Sequence, residues 1–445
     1  MKLTDVLQDF AFVSLLLLIS FGLRNRIKIL QKYFIPSALI AGFLGMLLGP
    51  QALGKVSPVS IPFTDSLSQW AGVLVIVVCA TQFLGLELGK VNRDVMATTF
   101  LAGTLHQTQL LVGLGITFIC GKFIKDLPLV FGFMPVWGFY GGHGNAATVG
   151  VIIQEAGFWN DAVSVGVTFA TIGILSGVIG GMILINYGAK KGYTHVQMAF
   201  SSMPASERTG YVEAEKRDTI GSGVTSSSVI DPLAFQICIV GLVVVAGTLI
   251  RKFLVSLSPV MSNFPLVGAV LVTSMLFGVI INKTSLKKLI DKPTMNRITG
   301  TALEYMIAAA IATTSLQVFV TYAVPLVLIS VVIIALNVIL SVGLGRIWLR
   351  ENWFETAVGL YGQVCGVLAT GLMLVKVVDP KNETVAAQCI SASSTWGYAW
   401  QIPYMLVGSL AVVTNPRAVV LVSVIFFLVC LAGGQILFGG KRKTS

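Results

Sequence analysis

The sequence predicts an all-α polytopic membrane protein with two inverted-topology repeats, about eleven transmembrane helices and two re-entrant hairpins. Three observations predict it. Hydrophobic residues make up 55% of the 445 and charged residues only 11%, with a mean hydropathy of +0.86; a soluble domain carries roughly 25% charged residues. Apolar runs near the roughly 20 residues a spanning helix needs recur along the whole chain. One glycine-rich stretch occurs twice, as Trp137-Gly-Phe-Tyr-Gly-Gly-His-Gly-Asn-Ala-Ala-Thr-Val-Gly150 and as Val358-Gly-Leu-Tyr-Gly-Gln-Val-Cys-Gly-Val-Leu-Ala-Thr-Gly371. Gly138, Tyr140, Gly141 and Gly150 recur as Gly359, Tyr361, Gly362 and Gly371, all at an offset of 221.

In chain order, the first apolar run, 6–23, ends at Arg24-Asn-Arg26. It lacks the basic start and small-residue cleavage site of a signal peptide, so it is read as a retained helix. Spans follow at 34–50, 68–88 and 98–120. The run 128–153 holds the first glycine-rich copy, and a span at 159–187 closes the first half. The second half repeats the order with spans at 232–254, 262–282, 302–321 and 324–346, the run 355–378 with the second copy, and a span at 384–411. A last helix at 416–438 has no counterpart in the first half.

Charge decides whether the two glycine-rich runs cross. If both are hairpins that leave on the side they enter, and the N-terminus is outside, one side collects most cations. These are Arg24, Arg26, Lys28, Lys32, Lys90, Arg93, Lys190, Lys191, Lys283, Lys287, Lys288, Lys292, Arg297, Arg346, Arg350, Lys441, Arg442 and Lys443. The other side keeps Lys55, Lys122, Lys125, Arg251, Lys252 and Arg417. If the first run spans fully, the five-cation loop at 283–297 moves outside. The positive-inside rule therefore favours hairpins, with the N-terminus outside and the C-terminus inside. Pro36, Met46 and Gly49 also match Pro265, Met275 and Gly278, all at an offset of 229, on helices that run in opposite directions under this topology.

The resulting organisation is a first inverted repeat at 1–187, a polar cytoplasmic linker at 188–230, a second inverted repeat at 231–411, and an extra C-terminal helix with a basic tail at 412–445. The formal charge of +11 sits in short loops between apolar runs, which argues against a nucleic-acid partner. The six cysteines are isolated and show no CxxC or His/Cys spacing, so neither a disulfide framework nor a zinc site is expected. No HExxH, nucleophile elbow, paired catalytic acids or phosphate loop appears, so no enzyme and no cofactor is expected.

Paired interruptions at corresponding positions of two halves are the sequence pointer to a secondary transporter's binding site. Backbone leaves helical geometry at membrane depth only where protein or a water-filled cavity satisfies it. In the first hairpin, Gly141, Gly142 and Gly144 free main-chain groups, and the following half-helix N-terminus favours a carboxylate. His143 can donate to that carboxylate or merely satisfy a neighbouring carbonyl. Asn145 and Thr148 oxygens are candidate sodium ligands, sodium being a hard cation. Close packing of small residues is the alternative for the whole motif. The second hairpin offers Gly362, Gln363 and Thr370, where each polar side chain can equally be an interhelical bond. Thr81 and Gln82, with Thr313, Thr314, Ser315 and Gln317, interrupt the two matching helices and are further sodium candidates. Their hydroxyls can instead bond back along their own helix. Asn337 reads as structural glue. The acids Glu87, Glu155, Asp161, Glu304, Glu355 and Asp379 fall near span boundaries, which favours sodium over a carboxylate proton relay, with Glu304 the exception to watch.

The chain resembles the bacterial sodium:glutamate symporter family. The stretch Gly141-Gly-His-Gly-Asn-Ala-Ala147 is similar to that family's Gly-Gly-His-Gly-Thr-Ala/Gly hairpin motif, and Ile35-Pro-Ser37 and Phe169-Ala-Thr-Ile-Gly173 through Gly180-Gly181 add to the likeness. The resemblance implies sodium-driven glutamate uptake across the bacterial cytoplasmic membrane by an elevator-type mechanism in a homodimer. It also implies that Gly141, Gly142, His143, Gly144 and Asn145 contact ion or substrate. Two departures stand out. Asn145 replaces the usual Thr, and Gly362-Gln-Val-Cys-Gly-Val-Leu-Ala-Thr370 lacks the expected Gly-Ala-Thr-Pro-Thr-Ala pattern. These bear on the substrate, so another organic anion or amino acid, or proton coupling, stays open on the same fold. A passive channel is the rival class; the paired broken helices and the lack of repeated charge rings argue against it.

Overall fold

Proline, glycine and capping side chains cut the apolar sequence into helices. A computed structural model describes residues 2–32, 35–50, 52–86, 91–194, 211, 212, 215, 217, 219, 221–257, 265–314, 320–350, 352–379 and 383–439. The helices of the first half are α1 (Leu3–Arg26), α2 (Lys28–Lys32), α3 (Ser37–Leu48), α4 (Trp70–Thr81), α5 (Arg93–Cys120), α6 (Met134–Phe139), α7 (Gly142–Glu155) and α8 (Ala162–Lys190). The second half has α9 (Pro232–Leu257), α10 (Leu266–Asn282), α11 (Lys292–Ala312), α12 (Ala323–Trp348), α13 (Trp353–Cys365), α14 (Leu368–Val378), α15 (Ala386–Pro403), α16 (Ser409–Thr414) and α17 (Pro416–Phe438). No strand occurs among the described residues.

Six helices among the described residues are long and apolar enough to cross a membrane: α1, α3 with its following turn, α8, α9, α12 and α17. Others are shorter or more polar. The 28-residue α5 is long enough, but His106, Gln107 and Gln109 interrupt its apolar run, and all three are fully buried. Local chemistry also moves boundaries away from the apolar pattern. α11 starts at Lys292 rather than 302, because Asp291 caps it by accepting the Thr294 amide at 3.0 Å and Pro293 fits its first turn. α4 stops at Thr81 rather than 88, and a turn follows in which Gly85 takes a positive φ of 66°.

The same succession of elements occurs twice, α3–α4–α5–(α6, α7)–α8 and α10–α11–α12–(α13, α14)–α15. Neighbours pair in the same way: α3 packs on α11 and α10 on α4, while α4 meets α11 and α5 meets α12. Two packing groups result. α1, α3, α4, α9, α10 and α11 contact mainly one another. α5, α8, α12 and α15 surround the two glycine-rich segments, and α17 packs on the outside of α5.

The 29-residue α8 is the ruler against which those segments can be read. At about 1.5 Å per residue it is roughly 43 Å long. Along it, Gly166 meets Met134, Gly138 meets Phe169, and Gly173 meets Phe139, so α6 runs in its direction. Gly150 meets Val163 and Gly166 meets Ala146, so α7 runs against it. Further along, Gly177 meets Gly362, Gly180 meets Tyr361 and Gly188 meets Phe354, so α13 runs against α8. Gly177 also meets Thr370 and Gly181 meets Leu374, so α14 runs with it. Each segment is therefore a helical hairpin. The first covers the N-terminal half of α8 and the second its C-terminal half. Their tips converge at Gly173–Gly177, near the middle of α8.

Candidate functional site

The site is assembled by two helix breaks. In the first, α6 ends at Phe139 and α7 begins at Gly142, whose φ of +67° only glycine adopts at no steric cost. In the second, α13 ends at Cys365, Gly366 leaves helical geometry (φ −142°, ψ −103°), Val367 is extended (φ −144°, ψ 168°), and α14 begins at Leu368. The breaks touch: a Cβ on Gly142 would collide with Val367 and lie 3.4 Å from the Gly366 carbonyl oxygen. Both α7 and α14 begin at this contact. Their first amides have no intrahelical acceptor, and the positive ends of both helix dipoles point there. The last carbonyls of α6 and α13 end at the same place. The contact thus offers donors for an anion and acceptors for a cation within one small volume.

The expected site residues distribute as follows. His143 is buried, with Nε2 at 3.2 Å from Thr171 Oγ1 on α8. Thr171 gives its own proton to the Val167 carbonyl at 3.0 Å, so the geometry assigns the histidine proton to Nε2. The Asn145 side chain folds over Gly141. Gly144 faces Leu303 of α11 and Val78 of α4. Thr148 donates to the Gly144 carbonyl at 2.8 Å and lies 3.6 Å from Cys79 Sγ. Gly362 packs on Gly371 and Leu374, inside the second hairpin. Thr370 is buried beside Gly366. Gln363 is 2% exposed, and neither atom of its amide has a hydrogen-bond partner.

The threonines outside the hairpins bond back along their own helices, and two of them also reach a hydroxyl on another helix. Thr81 Oγ1 lies 2.9 Å from the Val78 carbonyl and 2.6 Å from Thr299 Oγ1. Gln82, in the turn after α4, reaches the Tyr398 hydroxyl. Thr313 donates to the Ala309 carbonyl at 2.8 Å. Thr314 Oγ1 lies 2.7 Å from the Ala310 carbonyl and 3.0 Å from Ser164 Oγ. Ser315 and Gln317 lie outside the described residues, as does Glu87.

Thr314 nevertheless faces the hairpin-bearing group, through Ser164 of α8. A cavity of about 370 Å³ lies between the two packing groups, with Phe43, Ile311 and Thr314 on one wall and Ser164, Thr168, Thr171 and Leu326 on the other. Spacings of four and three residues set Ser164, Thr168 and Thr171 on one face of α8. They form a row of hydroxyls from Thr314 to the partner of His143.

Sequence reasoning missed a second polar shell, carried by α5. The His106 ring sits edge-on to Trp137 and Tyr140 of the first hairpin, with centroids 5.6 and 5.1 Å away. Gln109 donates to the Val364 carbonyl of the second hairpin at 2.8 Å and to Asn337 Oδ1 at 3.2 Å. Asn337 in turn lies 3.3 Å from Cys365 Sγ, so it does tie α12 to this hairpin. Buried polar atoms with no partner crowd this shell: His106 Nε2, Gln107 Oε1, Gln109 Oε1, Trp137 Nε1 and the Tyr140 hydroxyl. Each such atom costs roughly 1–3 kcal/mol unless something bonds to it. The signal was available in the sequence as His106, Gln107 and Gln109 within four residues of an apolar run. Among the described residues no three His, Cys, Asp or Glu side chains cluster. A cation here would rest on carbonyl, amide and hydroxyl oxygens.

A family model described as sodium/glutamate symporter matches residues 2–366. The matched region runs from α1 to the tip of the second hairpin. No curated protein matches the chain.

Proposed function

The chain belongs to the sodium/glutamate symporter family, and on that premise we propose that it is a secondary active transporter carrying glutamate with sodium across the bacterial cytoplasmic membrane. The observation that carries this reading is the meeting of two hairpin tips midway along α8, approached from its opposite ends. The glutamate α-carboxylate binds the first amides of α7 and α14. Sodium binds the carbonyl ends of α6 and α13 with Asn145, and the hydroxyl row from Thr314 to Thr171 gives a hard cation its path. The unpaired amide of Gln363 and the donors around His106 complete the shell when substrate enters.

The repeated succession of elements supports two inverted repeats, 1–187 and 231–411, joined by the linker 188–230 and followed by the C-terminal segment 412–445. With the N-terminus outside and the C-terminus inside, the hairpins enter from opposite faces. The cavity between the packing groups supports an elevator movement, in which the hairpin-bearing group slides against α1, α3, α4, α9, α10 and α11. A homodimer holds the second group still while the first moves.

The test is uptake of radiolabelled L-glutamate into proteoliposomes under an inward sodium gradient, with potassium as the control and unlabelled anions as competitors. Saturable, sodium-dependent uptake is expected. Uptake driven equally well by a proton gradient, or suppressed only by a different anion, overturns the assignment of ion or substrate.

A further inference from the structure

The end of α10 carries two apolar grooves and a cluster of lysines that lie outside the proposed substrate site. One groove, of about 530 Å³, lies between α9 and α10 and is lined by Phe235, Cys238, Leu242, Phe277, Ile280 and Leu289. The other, of about 320 Å³, follows the opposite flank of α10 against α15, past Met275, Val279, Trp396 and Ile402, and reaches Lys283. Both lie beside the C-terminal turns of α10. The segment after Asn282 exposes Lys283, Lys287 and Lys288 at that end.

Neither Lys283 nor Lys288 is paired with an acid among the described residues. The nearby acids are Asp231, just before α9, and Asp291, at the end of the segment 283–291. Asp231 accepts the Leu233 and Ala234 amides at 2.9 and 3.1 Å, capping α9. Asp291 accepts the Thr294 amide and hydroxyl and the Ser222 amide. Both charges are taken up by helix starts and their flanks. What remains is apolar grooves long enough for hydrocarbon chains, with a positive mouth.

We propose that the C-terminal end of α10 is a binding site for an anionic phospholipid of the surrounding bilayer. Its acyl chains fill the grooves and its phosphate rests on Lys283 and Lys288. The inference uses the membrane reading of the chain but not its substrate. A lysine near an anionic lipid surface contributes about fivefold in binding, so two give roughly 30-fold. The site also bears on α4, since Asn282 donates to the Leu86 carbonyl at 2.7 Å and Ser274 to the Ala80 carbonyl at 2.9 Å.

Native mass spectrometry of the full chain tests this, titrating phosphatidylglycerol against phosphatidylcholine with the same acyl chains. The first phosphatidylglycerol should bind at least about tenfold more tightly than phosphatidylcholine. Lys283→Gln with Lys288→Gln should remove the preference, and Lys122→Gln with Lys125→Gln should not. Leu242→Trp with Ile280→Trp, which fills the groove from an exposed position, should weaken the first site for both lipids. An unchanged preference in the Lys283/Lys288 variant, an equal loss in the Lys122/Lys125 variant, or no preference in the unaltered protein overturns the proposal.

Discussion

Gly142 of the first hairpin lies directly against Val367 of the second, with the Gly366 carbonyl beside them. Residues from the two halves of the chain meet there because each break starts a new half-helix, α7 on one side and α14 on the other. The first break has no room for a side chain at position 142. The contact concentrates exposed main-chain donors and acceptors at the middle of α8, where a polytopic protein is furthest from water on either side.

Gly142→Ala should damage this contact in two ways. Its φ of +67° strains any residue with a Cβ by about 1–2 kcal/mol, and the methyl group meets Val367. Sodium-driven uptake should fall at least about fivefold, the factor that strain implies. Val367→Ala added to Gly142→Ala should recover part of the loss, because it relieves the collision but not the strain. Full activity of Gly142→Ala alone would contradict the contact.

Gln363→Leu separates function from stability. The Gln363 amide is buried and unpaired, a state that costs about 1–3 kcal/mol. An apolar side chain of similar size removes that cost, so the melting temperature should stay level or rise. Uptake should nevertheless drop by roughly tenfold or more, since one good hydrogen bond to a charged substrate contributes about 1.5–3 kcal/mol. A lower melting temperature with unchanged uptake would mark Gln363 as structural only.

His143 and Thr171 should act as a pair. Their 3.2 Å contact fixes the ring and leaves Nδ1 as an acceptor. Thr171→Val removes the contact and should raise the KM for substrate several-fold, in line with about 1 kcal/mol for one hydrogen bond. His143→Ala should cost at least as much, and the double variant should cost little more than His143→Ala alone. Strict additivity in that cycle would show that the two residues work independently.

Much of this architecture is legible in the sequence because glycine and apolarity write it plainly. The apolar run 416–438 has the bounds of α17, with Asn415 capping its start. The repeated glycines fall in both hairpins, but the matched register does not give both breaks: Tyr140 and Gly141 sit at the first, whereas their counterparts Tyr361 and Gly362 lie inside α13 and the second break comes later, at Gly366 and Val367. Three things were not legible. α11 begins on polar residues, so only the Asp291 cap reveals its true start. The shell from His106 to Gln109 lies on a different helix from the motif it serves, and sequence spacing carries no sign of that proximity. The hydroxyls of Thr81, Thr148 and Thr313 turn back to their own helices, which spacing alone cannot distinguish from ligation.

Acid should loosen the second hairpin from its outer end. Partial burial pushes the Asp379 carboxyl up, but bonds from the Thr384 hydroxyl and amide and the Glu383 amide outweigh it and hold the group below the usual carboxylate range. A carboxylate with a lowered folded-state pKa contributes stability that is fully present above its unfolded value. That stability is lost as pH falls through the folded value. Thermal melts of the purified protein should therefore decline below about pH 4, and Asp379→Asn should flatten that part of the profile while lowering stability at neutral pH.

The binding site we propose lies between the two tips. Val367→Cys puts a thiol at their contact, and its modification by a small maleimide can be followed in proteoliposomes. Sodium and glutamate together should slow labelling at least about tenfold, glutamate without sodium should not, and Lys122→Cys, on the loop after α5, should label at the same rate throughout. Equal labelling of Val367→Cys with and without saturating sodium and glutamate, in protein that still transports, would contradict a site between the hairpins.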